Sequence, residues 1–240
     1  MADKTYIDDA ERYDRIFKIA WLEPLADPEL INLIKKIKKK KIIYEPGCGT
    51  GLLTEKIAGI EGIESIIAVD SHEIYLKKAR KRLKKYSSVI QVISADALTY
   101  DLPQPADLVV ARYVYHHIPD EQKMNFLKKL ADNLRPEGRI FIVDIFIPPY
   151  SSEQERDESL KRLHNYKKEL VRGNQFLMDI EEESLVLGLR REEEYKVSIE
   201  IFKRHIQEAG LNLDSLKLIE DPRISNPELN GLYIAILNKL

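Results

Sequence analysis

Compact apolar runs recur along the first 147 residues: KIIYE at 41–45, SIIAVD at 65–70, VIQVI at 89–93, ADLVVA at 106–111 and RIFIVDIFI at 139–147. They are nearly continuous in apolar residues rather than alternating, the pattern of strands covered on both faces in a parallel sheet. The stretches between them carry apolar residues at helical spacing. Leu76, Ala79 and Leu83 share one face, and Met124, Leu127, Ala131 and Leu134 share another. Pro119 suits the first turn of the second helix, and RPEG at 135–138 predicts a turn before the next strand. Strand and helix alternating in this way predict a doubly wound α/β sheet with right-handed crossovers.

After Ile147 the pattern changes. Residues 148–197 are highly charged, read mainly as helix and contain no convincing strand. Regular order then resumes. Ser198 can cap a helix with an apolar stripe of Ile199, Phe202, Ile206 and Ala209, closed by Gly210, and two strand-like runs follow, SLKLIE and LYIAIL. The chain is therefore expected to divide into a core at 1–147, a helical insertion at 148–197 and a closing segment at 198–240. An insertion at the carboxyl end of a strand lies over the ligand crevice in such folds, so this one is expected to act as a lid. Its helices are also candidates for a homodimer contact.

A chain of 240 residues can bury one large core, and a net charge of −2 implies no global field for a polyanion. The basic run KKIKKKK at 35–41 has Leu33, Ile34 and Ile37 at helical spacing around it and no interleaved aromatics. It reads as a solvated helix end, where cations complement the dipole, and points away from nucleic acid. One cysteine excludes an internal disulfide, and no run approaches the length of a membrane span. These features fit a soluble, cytoplasmic protein.

The chemistry is concentrated in Glu45-Pro46-Gly47-Cys48-Gly49-Thr50-Gly51, directly after the first strand run. Three glycines at every second position let a ligand lie against bare main chain, and the following helix start offers free N–H groups. The third glycine comes one residue too early for the dinucleotide fingerprint, and no lysine follows it as in a phosphate-binding P-loop. The motif resembles that of the class I S-adenosylmethionine-dependent methyltransferases, acidic-x-Gly-x-Gly-x-Gly. Three further motifs follow in order: Asp70 with Ser71 at the end of IIAVD, Asp96 with Ala97 in SADA, and the strand and loop from Asp107 through Arg112 to Tyr113.

The resemblance implies a Rossmann-like, mostly parallel seven-stranded sheet whose last strand pair forms an antiparallel edge. It also implies S-adenosyl-L-methionine as cofactor. Asp70 would clamp its ribose, Asp96 and Ala97 would read the adenine, and Arg112 and Tyr113 would flank the methionine portion, with Glu45 near its amino end. The N-terminal DDAERYDRIFKIAW is similar to the preface of small-molecule members, and Tyr13 is the aromatic expected to fold over the cofactor; the other reading has Tyr13, Phe17 and Trp21 docking a helix on the core. Cys48 belongs to the loop without being a nucleophile.

Methyl transfer from a sulfonium needs the acceptor held in line, and a base only where the acceptor must lose a proton. The catalytic candidates are His116 and His117 in RYVYHHIPDEQ. Adjacent residues cannot both face a crevice well, so His116 is expected to face the site and His117 to pack. No spacing suggests a metal site beyond this pair. IPPY at 147–150 departs from the motif of adenine amino-group methyltransferases and reads as a strand terminator. The expected function is methyl transfer to a small-molecule acceptor. The alternatives are a cofactor-remodelling enzyme resembling the carboxy-S-adenosylmethionine synthases, for which Arg112 or Arg172 would hold an extra carboxylate, and a catalytically silent cofactor-binding protein.

Overall fold

The computed structural model describes residue 5 and residues 9–19, 22–219 and 231–240. Trp21 lies outside the described residues. Strands β1 (Ile42–Pro46), β2 (Ser65–Asp70), β3 (Ile90–Ser94), β4 (Ala106–Arg112) and β5 (Leu134–Phe146) are parallel, and β6 (Leu211–Leu218) and β7 (Gly231–Lys239) complete the sheet. The order is β3-β2-β1-β4-β5-β7-β6, with β7 antiparallel to both its neighbours. The order reverses between β1 and β4, which opens a crevice at their carboxyl ends.

Alternation along each strand divides the core into two layers. Ile43, Ile66, Ala68, Leu108 and Val110 face α2 (Leu22–Lys36), α3 (Leu52–Ala58) and α4 (Glu73–Arg82), meeting Leu30, Ile34, Leu53, Ile57, Leu76 and Ala79. Tyr44, Ile67, Val69, Val109 and Ala111 face the other way, towards Phe126, Leu127 and Leu130 of α5 (Lys123–Asp132) and Phe202 and Ile206 of α8 (Ile199–Glu208). Central β1 and β4 are buried throughout, whereas edge strand β3 buries Ile90 and exposes Gln91. The continuous apolar runs thus report two-sided burial. Ser198 caps α8 as its sequence predicts, its hydroxyl accepting the Ile201 N–H.

Two local readings are corrected. RPEG is not a turn between elements: β5 already begins at Leu134, opposite Ala106, and the register jumps so that Leu108 meets Arg139. The four residues are taken up as an irregularity inside the strand. In α5 the core face is Lys123, Phe126, Leu127 and Leu130, while Met124 and Ala131 are only partly buried and Leu134 belongs to β5.

Helix α1 (Ala10–Ile19) precedes the sheet, and residues 148–197 hold α6 (Glu153–Leu170) and α7 (Gln175–Arg190). Ser152 and Asn174 cap these two helices by accepting the N–H groups of Glu155 and Leu177. Arg12 of α1 pairs with Glu183 of α7 at 2.6 Å, and the Arg15 guanidinium stacks on Phe176. None of the described helices is long and apolar enough to cross a membrane.

Candidate active site at the carboxyl ends of the strands

The chain leaves β1 through glycines in left-handed conformation, Gly47 at φ 68°, Gly49 at φ 54° and Gly51 at φ 78°. They differ in what they pack against. A Cβ on Gly47 would sit 2.4 Å from Val114 Cγ2, and one on Gly51 2.9 Å from Leu83 Cδ1. Gly49 instead lies under the Tyr13 ring, whose hydroxyl oxygen would be 3.5 Å from an added Cβ. Gly47 and Gly49 therefore form cavity wall, while Gly51 serves packing and the start of α3.

Asp70 ends β2 beside this loop. Its Oδ2 accepts the Gly49 N–H at 2.8 Å and its Oδ1 accepts the His72 N–H at 2.8 Å. The carboxylate is thus fixed from both sides and retains lone pairs towards the cavity, which it lines with Ser71. Asp96 and Ala97 follow β3 and form the next part of the wall. Asp96 Oδ1 also caps its own loop by accepting the Leu98 N–H at 2.8 Å.

Tyr13 closes this end from α1, stacked with Tyr75 and Phe17 at ring separations of 4.9 and 4.6 Å. Asp14 fastens the helix there. It accepts the Thr50 hydroxyl of the glycine loop at 2.5 Å, Arg82 at 2.6 Å and Lys78 at 2.8 Å.

Three residues expected at the cofactor lie behind the wall. Cys48 is buried and its thiol is pushed well up by burial; its side chain belongs to the core. Arg112 is held by Asp27, one nitrogen lying 2.8 and 2.9 Å from the two carboxylate oxygens, and stacks over Phe17 and Tyr113. Glu45 is buried with Oε2 lacking any hydrogen-bond partner, and burial pushes its carboxyl up to about 8. A buried carboxylate oxygen without a donor is costly and suits a cationic ligand group. With the bare loop and the fixed Asp70, it makes the residues present fit S-adenosylmethionine.

The histidine expectation is reversed. Tyr113, at φ 58°, and the turn Tyr115–His117 bring Tyr113 and His117 to the cavity, whereas His116 is buried behind it. His116 donates from Nδ1 to Asp144 Oδ1 at 2.5 Å, and its main-chain N–H reaches Asp144 Oδ2 at 3.2 Å. Burial alone would raise the Asp144 carboxyl, but His116, the Ile145 amide and Lys123 hold it below its usual range. His117 donates from Nδ1 to the Glu193 carbonyl at 2.5 Å, which leaves Nε2 as the free position of its ring. Burial and the neighbouring His116 push His117 down to about 4, so it is neutral at pH 7.

Glu193 and Tyr195, in the segment after α7, complete the wall together with Ile118 and Pro119. The Tyr195 N–H donates to the His116 carbonyl at 2.6 Å, joining this segment to the turn after β4. Sequence reading missed Glu193 and Tyr195, and also Glu194, whose carboxylate gathers with His116 and His117. Nothing in the local sequence marks them. Tyr75 and Val114 were also missed, although their positions beside Asp70 and Tyr113 made them findable.

Comparison with known proteins agrees with this geometry. A family model described as a methyltransferase domain matches residues 43–138, which hold the glycine loop, Asp70, Asp96 and the histidine turn. An uncharacterised methyltransferase of Geobacillus sp. (strain WCH70) is 29% identical over 141 residues, 58% of this chain and 62% of that protein. A carboxy-S-adenosyl-L-methionine synthase of Wolinella succinogenes is 28% identical over 151 residues, 62% of this chain and 60% of that one. The match therefore spans about three-fifths of the length of these relatives. The solved structure of an S-adenosylmethionine-dependent methyltransferase from Clostridium acetobutylicum superposes with a TM-score of 0.65 over 96% of this chain and 97% of that one. At 13% identity, that likeness concerns the fold alone. With the ordered motifs, this sheet and the matched model taken together, residues 43–138 are a methyltransferase domain of the class I S-adenosylmethionine-dependent type.

Proposed function

We propose that the chain moves a methyl group from S-adenosylmethionine to a small-molecule acceptor that enters beside His117. The observation that carries this reading is one cavity of about 270 Å³ that runs from Gly49, Asp70 and Asp96 to His117 and Tyr195. When bound, the cofactor supplies a methyl group already activated on a sulfonium. Asp70 binds ribose hydroxyls, Asp96 and the Ala97 amide orient the adenine, and Glu45, buried behind the wall, ionises to balance the cationic amino group. Tyr13 covers this end and excludes water, which matters for a reaction whose charge disappears in the transition state. Tyr113 and His117 position the acceptor. His117 offers its Nε2 lone pair on that side, where an acceptor must loosen its hold on a proton.

Helices α6 and α7 form the lid in this reading, and the 148–197 insertion is the unit that selects the acceptor. Its support is the segment after α7, which supplies Glu193 and Tyr195 to the wall, and the contacts of α7 with α1. The cofactor-remodelling alternative draws support from the Wolinella relative but requires an arginine for a second carboxylate. Arg112 is already committed to Asp27, and Arg172 pairs with Glu169 on the surface. Methyl transfer is the reading these residues favour.

Incubating the protein with methyl-labelled S-adenosylmethionine and fractionated metabolites tests it: label should appear in a small-molecule fraction. Tight cofactor binding with no label leaving the cofactor in any fraction would overturn it.

A further inference from the structure

Beside the His117 wall, two histidines and one carboxylate converge. We infer that His116, His117 and Glu194 form a binding site for a divalent transition-metal ion such as zinc or manganese. One ligand atom from each residue can be chosen so that all three lie within 4.8 Å of one another. Ligands around a single ion stand about 3–4 Å apart, so a small side-chain adjustment closes the site.

The surroundings prepare both imidazoles for this role. His116 is oriented by Asp144 through Nδ1, and His117 by the Glu193 carbonyl through Nδ1. Ring nitrogens held by a carboxylate or a carbonyl are the arrangement that fixes the tautomer and directs the other nitrogen at a metal. Glu194 is buried and accepts the Ser184 hydroxyl on Oε1 and the Lys196 ammonium on Oε2. Two imidazoles and one carboxylate suit zinc, manganese or iron rather than magnesium or calcium.

Lys196 is the opposing feature. Its ammonium sits beside Glu194 and also bonds the Ser184 hydroxyl, so it competes with the ion for the carboxylate. It balances the charge of Glu194 in the metal-free protein and sets the affinity below that of an uncontested site.

This inference deepens the methyl-transfer reading and rests on it for its consequence. Three protein ligands leave a zinc ion at least one open position. Because His117 is on the cavity wall, that position is available to an acceptor, and the ion would hold an acceptor oxygen as a Lewis acid. The acceptor class is then a molecule presenting a hydroxyl or carboxylate oxygen. The lone pair of His117 then serves the acceptor through the ion and not by taking its proton directly.

The test uses the 240-residue chain stripped of metal, titrated with zinc against a chromophoric chelator and separately with cobalt(II), read by visible absorption. One zinc per chain with sub-micromolar affinity is expected, with ligand-field bands on cobalt loading. His117→Ala and Glu194→Gln should each weaken zinc binding about 10–100-fold. Lys196→Met should tighten it. Asp70→Ala should leave zinc affinity unchanged while weakening S-adenosylhomocysteine binding measured by calorimetry. Should Glu194→Gln fail to fold, His117→Ala at the cavity wall carries the comparison. No stoichiometric zinc in a protein that still binds S-adenosylhomocysteine would overturn the metal site and leave the methyl-transfer reading intact. Equal zinc affinity in wild type and His117→Ala would also overturn it. Zinc bound as expected without S-adenosylhomocysteine binding would instead overturn the cofactor reading.

Discussion

Where β1, β2 and β3 end, the cavity is walled by two glycines in left-handed conformation, Gly47 and Gly49, and by two carboxylates held by main-chain N–H groups, Asp70 and Asp96. Where β4 and β5 end, the same cavity is backed by buried polar and charged pairs: His116 on Asp144, Lys123 on the Tyr115 carbonyl, and Glu194 on Lys196. The contrast follows from what each half must do. In the methyl-transfer reading proposed above, a cofactor identical in every reaction is best held by backbone that no side chain can misplace, whereas an acceptor end has to arrange charge. Charge buried for that purpose has to be paired inside the fold, so on this side the groups that hold the structure are also the groups nearest the chemistry.

Mutations should separate the two halves. The largest effect on stability is expected from Asp144→Ala, which strips His116 of its acceptor and removes one of the carboxylates, with Asp120, that balance the wholly buried Lys123. The loss should be about 3–5 kcal/mol in denaturant unfolding. A loss under 1 kcal/mol would mean that the charges behind the histidines do not carry the fold, and the comparison would break.

Gly47→Ala comes next. Left-handed backbone costs a non-glycine residue about 1–2 kcal/mol, and the new methyl would meet Val114 Cγ2 at 2.4 Å. Lowered melting temperature together with lost S-adenosylhomocysteine binding is the expected result; normal binding would show that the loop is not the cradle.

Asp70→Ala should do the converse of Asp144→Ala, with little change in unfolding. Charge-assisted hydrogen bonds worth about 1.5–3 kcal/mol are lost from the complex, so affinity should fall by about one to two powers of ten in calorimetry.

The smallest effect concerns pH. Burial holds the Glu45 carboxyl up to about 8 from its ordinary 4.5. Between those values the folded chain keeps a proton that the unfolded chain releases, so the stability of the free protein should fall as pH rises through that window. Glu45→Gln should flatten the slope and leave the variant the more stable at pH 8. An unchanged slope would show that Glu45 is ionised in the free protein. The groups near it are Thr54 and Arg112, which favour the charge, and Asp27 and Asp70, which disfavour it.

The same division explains what could be read from the amino-acid sequence. β1 through β4 and the glycine loop were legible because each rests on a local signal, a continuous apolar run or a glycine at fixed spacing. Asp70 and Asp96 could be placed because strand ends in this fold converge on one crevice. His117 was misjudged because the turn Tyr115–His117 and the Asp144 carboxylate decide which ring faces inward, and Asp144 looks like one more residue of a buried strand. Glu193, Glu194 and Tyr195 were illegible for a stronger reason. They sit in an irregular charged segment far along the chain, brought to the site by the Tyr195 amide on the His116 carbonyl and by His117 on the Glu193 carbonyl. The strand start at Leu134 was hidden by Pro136 and Gly138, which normally end a strand and here are absorbed inside one.

The attachment of Asp14 bears on turnover. The side chain that anchors the first helix is bonded to Thr50, inside the loop that the helix covers, and to Arg82 and Lys78 on the far side. Undocking that helix must therefore break an ion-paired clasp and expose the nucleoside end in a single motion.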